Sequence, residues 1–256
     1  MTSLTISTSL MIGDLRWVRR GHMATSTFGA MLLLWLIGTV PALAALTSTI
    51  NRCFGPCTPL FGTREMIGHN LTRFHEWQAV MARSQAEFAG ARDICVPGQS
   101  SDCVPAPWAA LLAALKGQPL RRQIAIANDA LNRVRYVPTV QNWHRAMYWE
   151  TAFEFLRYGG QCQYYAIAKY ELLRQAGVPA SAMRMVVLRD TAIARDHAVL
   201  VVYVEGEPLV LDILNPAIVP ADTSVPYRPY YSINEEAWWY HLGPHSMEGW
   251  MVARAR

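Results

Sequence analysis

Gly177 marks a change of hydrophobic period that limits the fold more than any other feature of this sequence. Before it, apolar residues recur at three- and four-residue steps, the spacing of one helix face. Residues 72–91 bring Phe74, Trp77, Met81 and Phe88 near one face. Residues 108–115 read as a second helix stopped by Gly117, and 120–134 as a third carrying Ile124, Ala127, Leu131 and Val134. Residues 147–158 run into Gly159-Gly160, and 163–175 read as an amphipathic helix that Gly177 closes. After Gly177 come the β-branched and apolar runs 183–188, 197–204 and 209–214, the last two joined by the turn Glu205-Gly206-Glu207-Pro208. The pattern predicts one α+β domain over 45–256, a helical N-terminal half packed on an antiparallel sheet. Residues 45–70, rich in Pro, Gly, Thr and Asn, read as an extended lead-in.

The first 44 residues have the parts of an export signal. Arg16, Arg19 and Arg20 form a positive start, 28–40 is apolar, Pro41 breaks the helix, and Ala42-Leu43-Ala44 is a small-x-small cleavage site. Cleavage there sends the remainder to the periplasm. An uncleaved anchor is the alternative, because the apolar run nears spanning length if Pro41 is tolerated. Of the formal charge of +4, the leader carries +2 and leaves +2 for the rest. So small an excess, with no basic stripe, argues against a nucleic-acid partner. Membrane contact is expected only through the export signal.

Five cysteines suit an oxidising compartment. Cys53 and Cys57, and Cys95 and Cys103, lie close together and are flanked by Pro and Gly. Four cysteines allow three connectivities, and local pairing is preferred. No nearby His completes zinc-ligand spacing, so no metal is assigned. Cys162 remains as the odd thiol.

Cys162 follows Gly159-Gly160-Gln161 and begins a helix. Unpaired amides and the positive end of the helix dipole there favour thiolate, the nucleophilic form. The same amides can hold an oxyanion, and the Gln161 side chain is a further candidate donor. His197 opens one apolar run and Asp212 closes another; neither group belongs in such a run without a partner. With a turn centred on Gly206-Glu207, the two point to the same side of the sheet but are offset along the hairpin, so a bulge or a different turn must bring them together. Cys…His…Asp is a working nucleophile, base and orienter. Trp149 is a candidate for lining the cleft, with core packing as its alternative.

The strings Gly-Gly-Gln-Cys-Gln-Tyr-Tyr-Ala-Ile-Ala-Lys-Tyr, Leu-Arg-Gln-Ala-Gly-Val-Pro, Asp-His-Ala-Val-Leu and Leu-Val-Leu-Asp resemble the bacterial transglutaminase-like cysteine proteinase family. The resemblance implies a papain-like transglutaminase core with Cys162, His197 and Asp212 as triad. It implies a protein or peptide substrate, and no cofactor. Known members release biofilm adhesins from the cell surface, and some are sequestered by an inner-membrane cyclic-nucleotide receptor, which makes such a receptor a candidate partner. Relatives commonly carry Asp-Cys-Glu-Asp around the nucleophile, for calcium. Here the stretch is Gln161-Cys162-Gln163-Tyr164, so no calcium site is expected beside the nucleophile. Ile213-Leu214 also stands where Asn-Leu is expected. These departures keep two alternatives in view: an acyl transferase or amidase of the same fold, and a catalytically weakened periplasmic binding module.

Overall fold

The computed structural model describes residues 59–91, 93–95, 103–145, 147–222 and 224–243, all within the unit 51–256. The expected export signal and the Cys53/Cys57 pair lie outside the described residues. Six helices are described: α1 (His75–Gly90), α2 (Ala106–Leu115), α3 (Leu120–Leu131), α4 (Thr139–Trp143), α5 (Ala152–Tyr158) and α6 (Cys162–Gln175). The strands are β1 (Arg64–Gly68), β2 (Met183–Asp190), β3 (Arg195–Val204), β4 (Glu207–Leu211), β5 (Val219–Pro220), β6 (Tyr227–Ile233) and β7 (Trp238–Leu242). They form one antiparallel sheet in the order β1-β7-β6-β2-β3-β4-β5. The α+β expectation holds. No helix among the described residues is long and apolar enough to cross a membrane.

Strand alternation gives the sheet two buried faces. Ala198, Leu200, Val202 and Val204 of β3 pack with α6 and the other helices, while Val199, Val201 and Tyr203 pack with Leu60, Phe61 and Ala221. The expectation of an amphipathic α6 is corrected: Tyr164 to Leu173 are all buried. A helix covered on every side needs no polar stripe, and this one carries Lys169 and Glu171 inward. The residues 209–214 are strand only as far as Leu211, and α1 starts at His75. Cys95 and Cys103 form the expected local disulfide, and Cys162 is a free thiol.

The far edge of the sheet holds a buried polar cluster. Arg184 pairs with Glu65 at 2.8 Å and lies 3.7 Å over the Trp239 ring. His241 is fully buried between Thr63 Oγ1 at 2.8 Å and Ser232 Oγ at 3.0 Å. Burial, then the neighbouring Arg184 charge, push its pKa down to about 3. It is therefore neutral, and its 3.6 Å approach to Glu65 is not an ion pair. A histidine kept neutral by folding contributes stability above its ordinary 6.5 that is lost as pH falls toward 3. We expect His241→Gln to flatten acid unfolding by up to about 1.4 kcal/mol per pH unit. Denaturant titrations at pH 7, 6, 5 and 4 measure this; parallel stability curves for the two proteins would refute it.

Candidate active site

The Gly159-Gly160 turn places the thiol. Gly160 bridges to the chain at 135–137: its amide donates to the Arg135 carbonyl at 3.1 Å, and its carbonyl accepts from Val137 at 3.0 Å. Gln161 then takes the extended N-cap conformation, and Cys162 is the first residue of α6. At that position the first helical amides have no intrahelical acceptor. The half-buried thiol packs against the helix-side core, with Gln163 Oε1 at 3.6 Å.

His197 and Asp212 meet through the turn between β3 and β4. The turn residues are Glu205 and Gly206, both at positive φ, so Val204 pairs with Glu207 and Leu200 with Leu211. This is one residue earlier than the sequence suggested. It reduces the offset between the two side chains from four residues to two, within diagonal reach on one face, and no bulge interrupts the β3–β4 ladder. His197 Nε2 lies 2.6 Å from Asp212 Oδ1, with both side chains almost fully buried. The Cys162 thiol acts on the same ring, raising the His197 pKa through hydrogen bonding and charge. The three sequence-predicted residues are thus brought together.

The electrostatics follow from the contacts. Burial works against charge on His197, but hydrogen bonds to Asp212 and Cys162 and their charges hold its pKa up at about 9. Burial likewise opposes the Asp212 charge. Hydrogen bonds from His197, Tyr227 and the Leu214 amide outweigh it and hold the pKa below the usual carboxylate value. At neutral pH the pair is imidazolium and carboxylate.

The other candidates are placed as follows. Gln161 Oε1 accepts from Thr139 Oγ1 at 2.6 Å and Gln163 Nε2 at 3.3 Å. Trp149 packs against the helix-side core, and its carbonyl accepts from Arg83. Asp196 is exposed and binds Arg189 and Tyr230.

Two residues escaped the sequence reading. Tyr136 is exposed, yet partial burial and then the Cys162 charge raise its pKa. Tyr227 donates to Asp212 Oδ2. Neither carries a local motif; only long-range pairing reveals them.

The residues flanking Cys162 do not fit a calcium ion. Hard cations need several anionic oxygens. Gln161 and Gln163 are neutral amides already bonded to each other, and the Tyr164 hydroxyl donates to the Tyr148 carbonyl.

Residues 89–247 match the family model described as bacterial transglutaminase-like cysteine proteinase, BTLCP. Calcium-bound LapG of Legionella pneumophila is similar in structure: TM-score 0.50, 27% identity, covering 70% of this chain and 97% of that one. EGTA-treated LapG of the same organism has a TM-score of 0.48 and 26% identity, covering 69% of this chain and 96% of that one. No curated protein matches the sequence. The chain belongs to the bacterial transglutaminase-like cysteine proteinase family and is a transglutaminase-like cysteine peptidase.

Proposed function

We propose that this peptidase is exported and cleaves a peptide bond in a periplasmic or cell-surface protein, with Cys162 as nucleophile, His197 as proton carrier and Asp212 as its orienter. The observation that carries the reading is the buried His197–Asp212 pair, Nε2 to Oδ1 at 2.6 Å, with the free thiol of Cys162 acting on the same ring. His197 takes the proton from Cys162 or holds it as an ion pair with the thiolate. Thiolate attacks the scissile carbonyl carbon, forming the C–S bond. Helix amides at the start of α6, joined by the Gln161 amide, receive the oxyanion. The intermediate expels the amine, which takes its proton from His197. Neutral His197 then deprotonates water, which attacks the thioester and releases the acid and the thiol. Export rests on the leader at 1–44, and the Cys95–Cys103 disulfide suits the same compartment. A regulatory receptor at the inner membrane is the partner such a location makes available.

A peptide library incubated with the protein, with and without added primary amines, tests the reaction by mass spectrometry. New carboxyl termini formed with water alone are expected. Products that appear only as amine adducts would replace the peptidase with a transferase. No product of either kind, with Cys162 alkylated no faster than an ordinary thiol, would leave a binding module.

A further inference from the structure

The Asp212 carboxylate has a second holder, and a distortion of the sheet puts it there. Val187 of β2 pairs with Tyr231 of β6, but the next residue, Leu188, pairs with Pro229, so β6 carries one extra residue between them. Before that point Tyr231 and Ile233 face the helix-side core. One inserted residue reverses which face each later side chain takes. Tyr227 therefore arrives opposite Asp190, on the other face, against the second core. Leu188 lies on that face, and so does its β3 partner His197. Without the bulge Arg228 would occupy the place opposite Asp190, and Tyr227 would point to the helices. Pro229 suits such a position, since proline lacks the amide a regular ladder needs.

The hydroxyl so delivered completes a closed set of donors. Asp212 Oδ1 receives His197 Nε2 at 2.6 Å and the Leu214 amide at 3.0 Å, while Oδ2 receives the Tyr227 hydroxyl. The Asp212 carbonyl is held by Asn132 Nδ2 at 2.7 Å. Rotating the carboxylate breaks at least one of these bonds at a buried site. The charged and titratable groups around it are His197 from β3, Lys169 from α6 and Tyr227 itself, with the Asp190 charge of β2 also acting on Tyr227. The Tyr227 ring meets Phe61 edge-on at 5.9 Å.

We propose that Tyr227 is a positioning residue, fixing the Asp212 carboxylate in the orientation that aims His197 at Cys162. This rests on reading those three residues as a catalytic triad. The test is the rate of Cys162 alkylation by iodoacetamide from pH 5 to 10, on the full chain, which needs no known substrate. Tyr227→Phe keeps the ring and removes one hydroxyl. It should alkylate about tenfold more slowly than the parent at pH 6 to 7, and converge with it near pH 10, where an ordinary thiol is ionised. Phe61→Leu removes the edge-on ring contact and leaves the Tyr227–Asp212 hydrogen bond in place. It should lower the thermal midpoint and leave the shape of the pH profile unchanged. A Tyr227→Phe profile that superimposes on the parent's overturns the proposal while leaving the triad standing. A parent profile like that of an ordinary thiol overturns the triad reading, and this proposal with it.

Discussion

Asp212→Asn should lower peptide-bond cleavage at pH 7 by roughly three to four orders of magnitude, and Cys162→Ala should remove it. The reasoning starts from burial. His197 and Asp212 are both shielded from water, and desolvation is the largest influence on each. With the carboxylate present, His197 keeps its proton up to about pH 9. With a neutral amide, only Cys162 still opposes burial, and the ring's pKa falls from about 9. The imidazole then gives up its charge at lower pH, so it stabilises a thiolate and protonates the leaving amine less well. Asparagine also fits the site poorly. Three donors converge on the two oxygens of residue 212, and an amide nitrogen there faces a donor with a donor. The pH profile separates this account from simple misfolding. In the parent, cleavage falls on the alkaline side as His197 deprotonates near 9; in Asp212→Asn that limb moves to lower pH. Stability follows the same groups. The His197 contribution is full below 6.5 and lost as pH rises through about 9, while the Asp212 contribution is full above 3.8 and lost as pH falls below it. Identical alkaline limbs in the two proteins would show that Asp212 does not govern His197.

Much of this arrangement was legible because it rests on local chemistry. Gly159-Gly160 before an apolar helix announces a backbone that must bend sharply, and a lone thiol at its start is visible in the sequence. His197 and Asp212 stand out against the β-branched runs that contain them. The helical half and the central strands follow from period alone, down to the β3–β4 hairpin. What stayed hidden depends on partners distant in sequence. β1 reads as lead-in because Arg64 to Gly68 alternates only weakly, and its strand state comes from pairing with β7. β6 carries Pro229, which demotes a run to irregular structure, and the bulge that accommodates it is invisible until β2 is its neighbour. The five-residue α4 is too short to show a period. The inward-facing Lys169 and Glu171 made α6 look amphipathic; the Asp212 charge that acts on Lys169 and the Ser84 hydroxyl that binds Glu171 lie outside it.

The turn before Cys162 yields the other large effect, and four glycines separate its causes. Gly159 has φ +72 and ψ 178, a region that almost no residue but glycine occupies. A Cβ there would also stand 2.3 Å from the Arg135 carbonyl oxygen, a backbone atom that cannot step aside. Gly160 has no positive φ, but its Cβ would meet Tyr164 Cδ2 at 2.2 Å. That ring is fully buried, and its hydroxyl is tied to Thr139 and the Tyr148 carbonyl. Gly177 has φ +98 with open space around it, and Gly90 has neither strain nor neighbour. Alanine at 159 or 160 should therefore destabilise by about 3 kcal/mol or more, a fall of roughly 6–12 °C in midpoint for a domain of this size. Alanine at 177 should cost about 1 kcal/mol from conformation alone, and alanine at 90, inside α1, should be neutral or stabilise by up to about 1 kcal/mol. Thermal melts rank the four, and alkylation of Cys162 adds the functional axis. Only the variants at 159 and 160 should slow it at neutral pH, because only they displace the chain that carries the sulfur to the entrance of α6. Equal melting losses at 159 and 177 would mean that backbone conformation, not the approach to Arg135, dictates glycine there. The close pairing of 135–137 with Gly160 would then be a consequence of the turn rather than its cause.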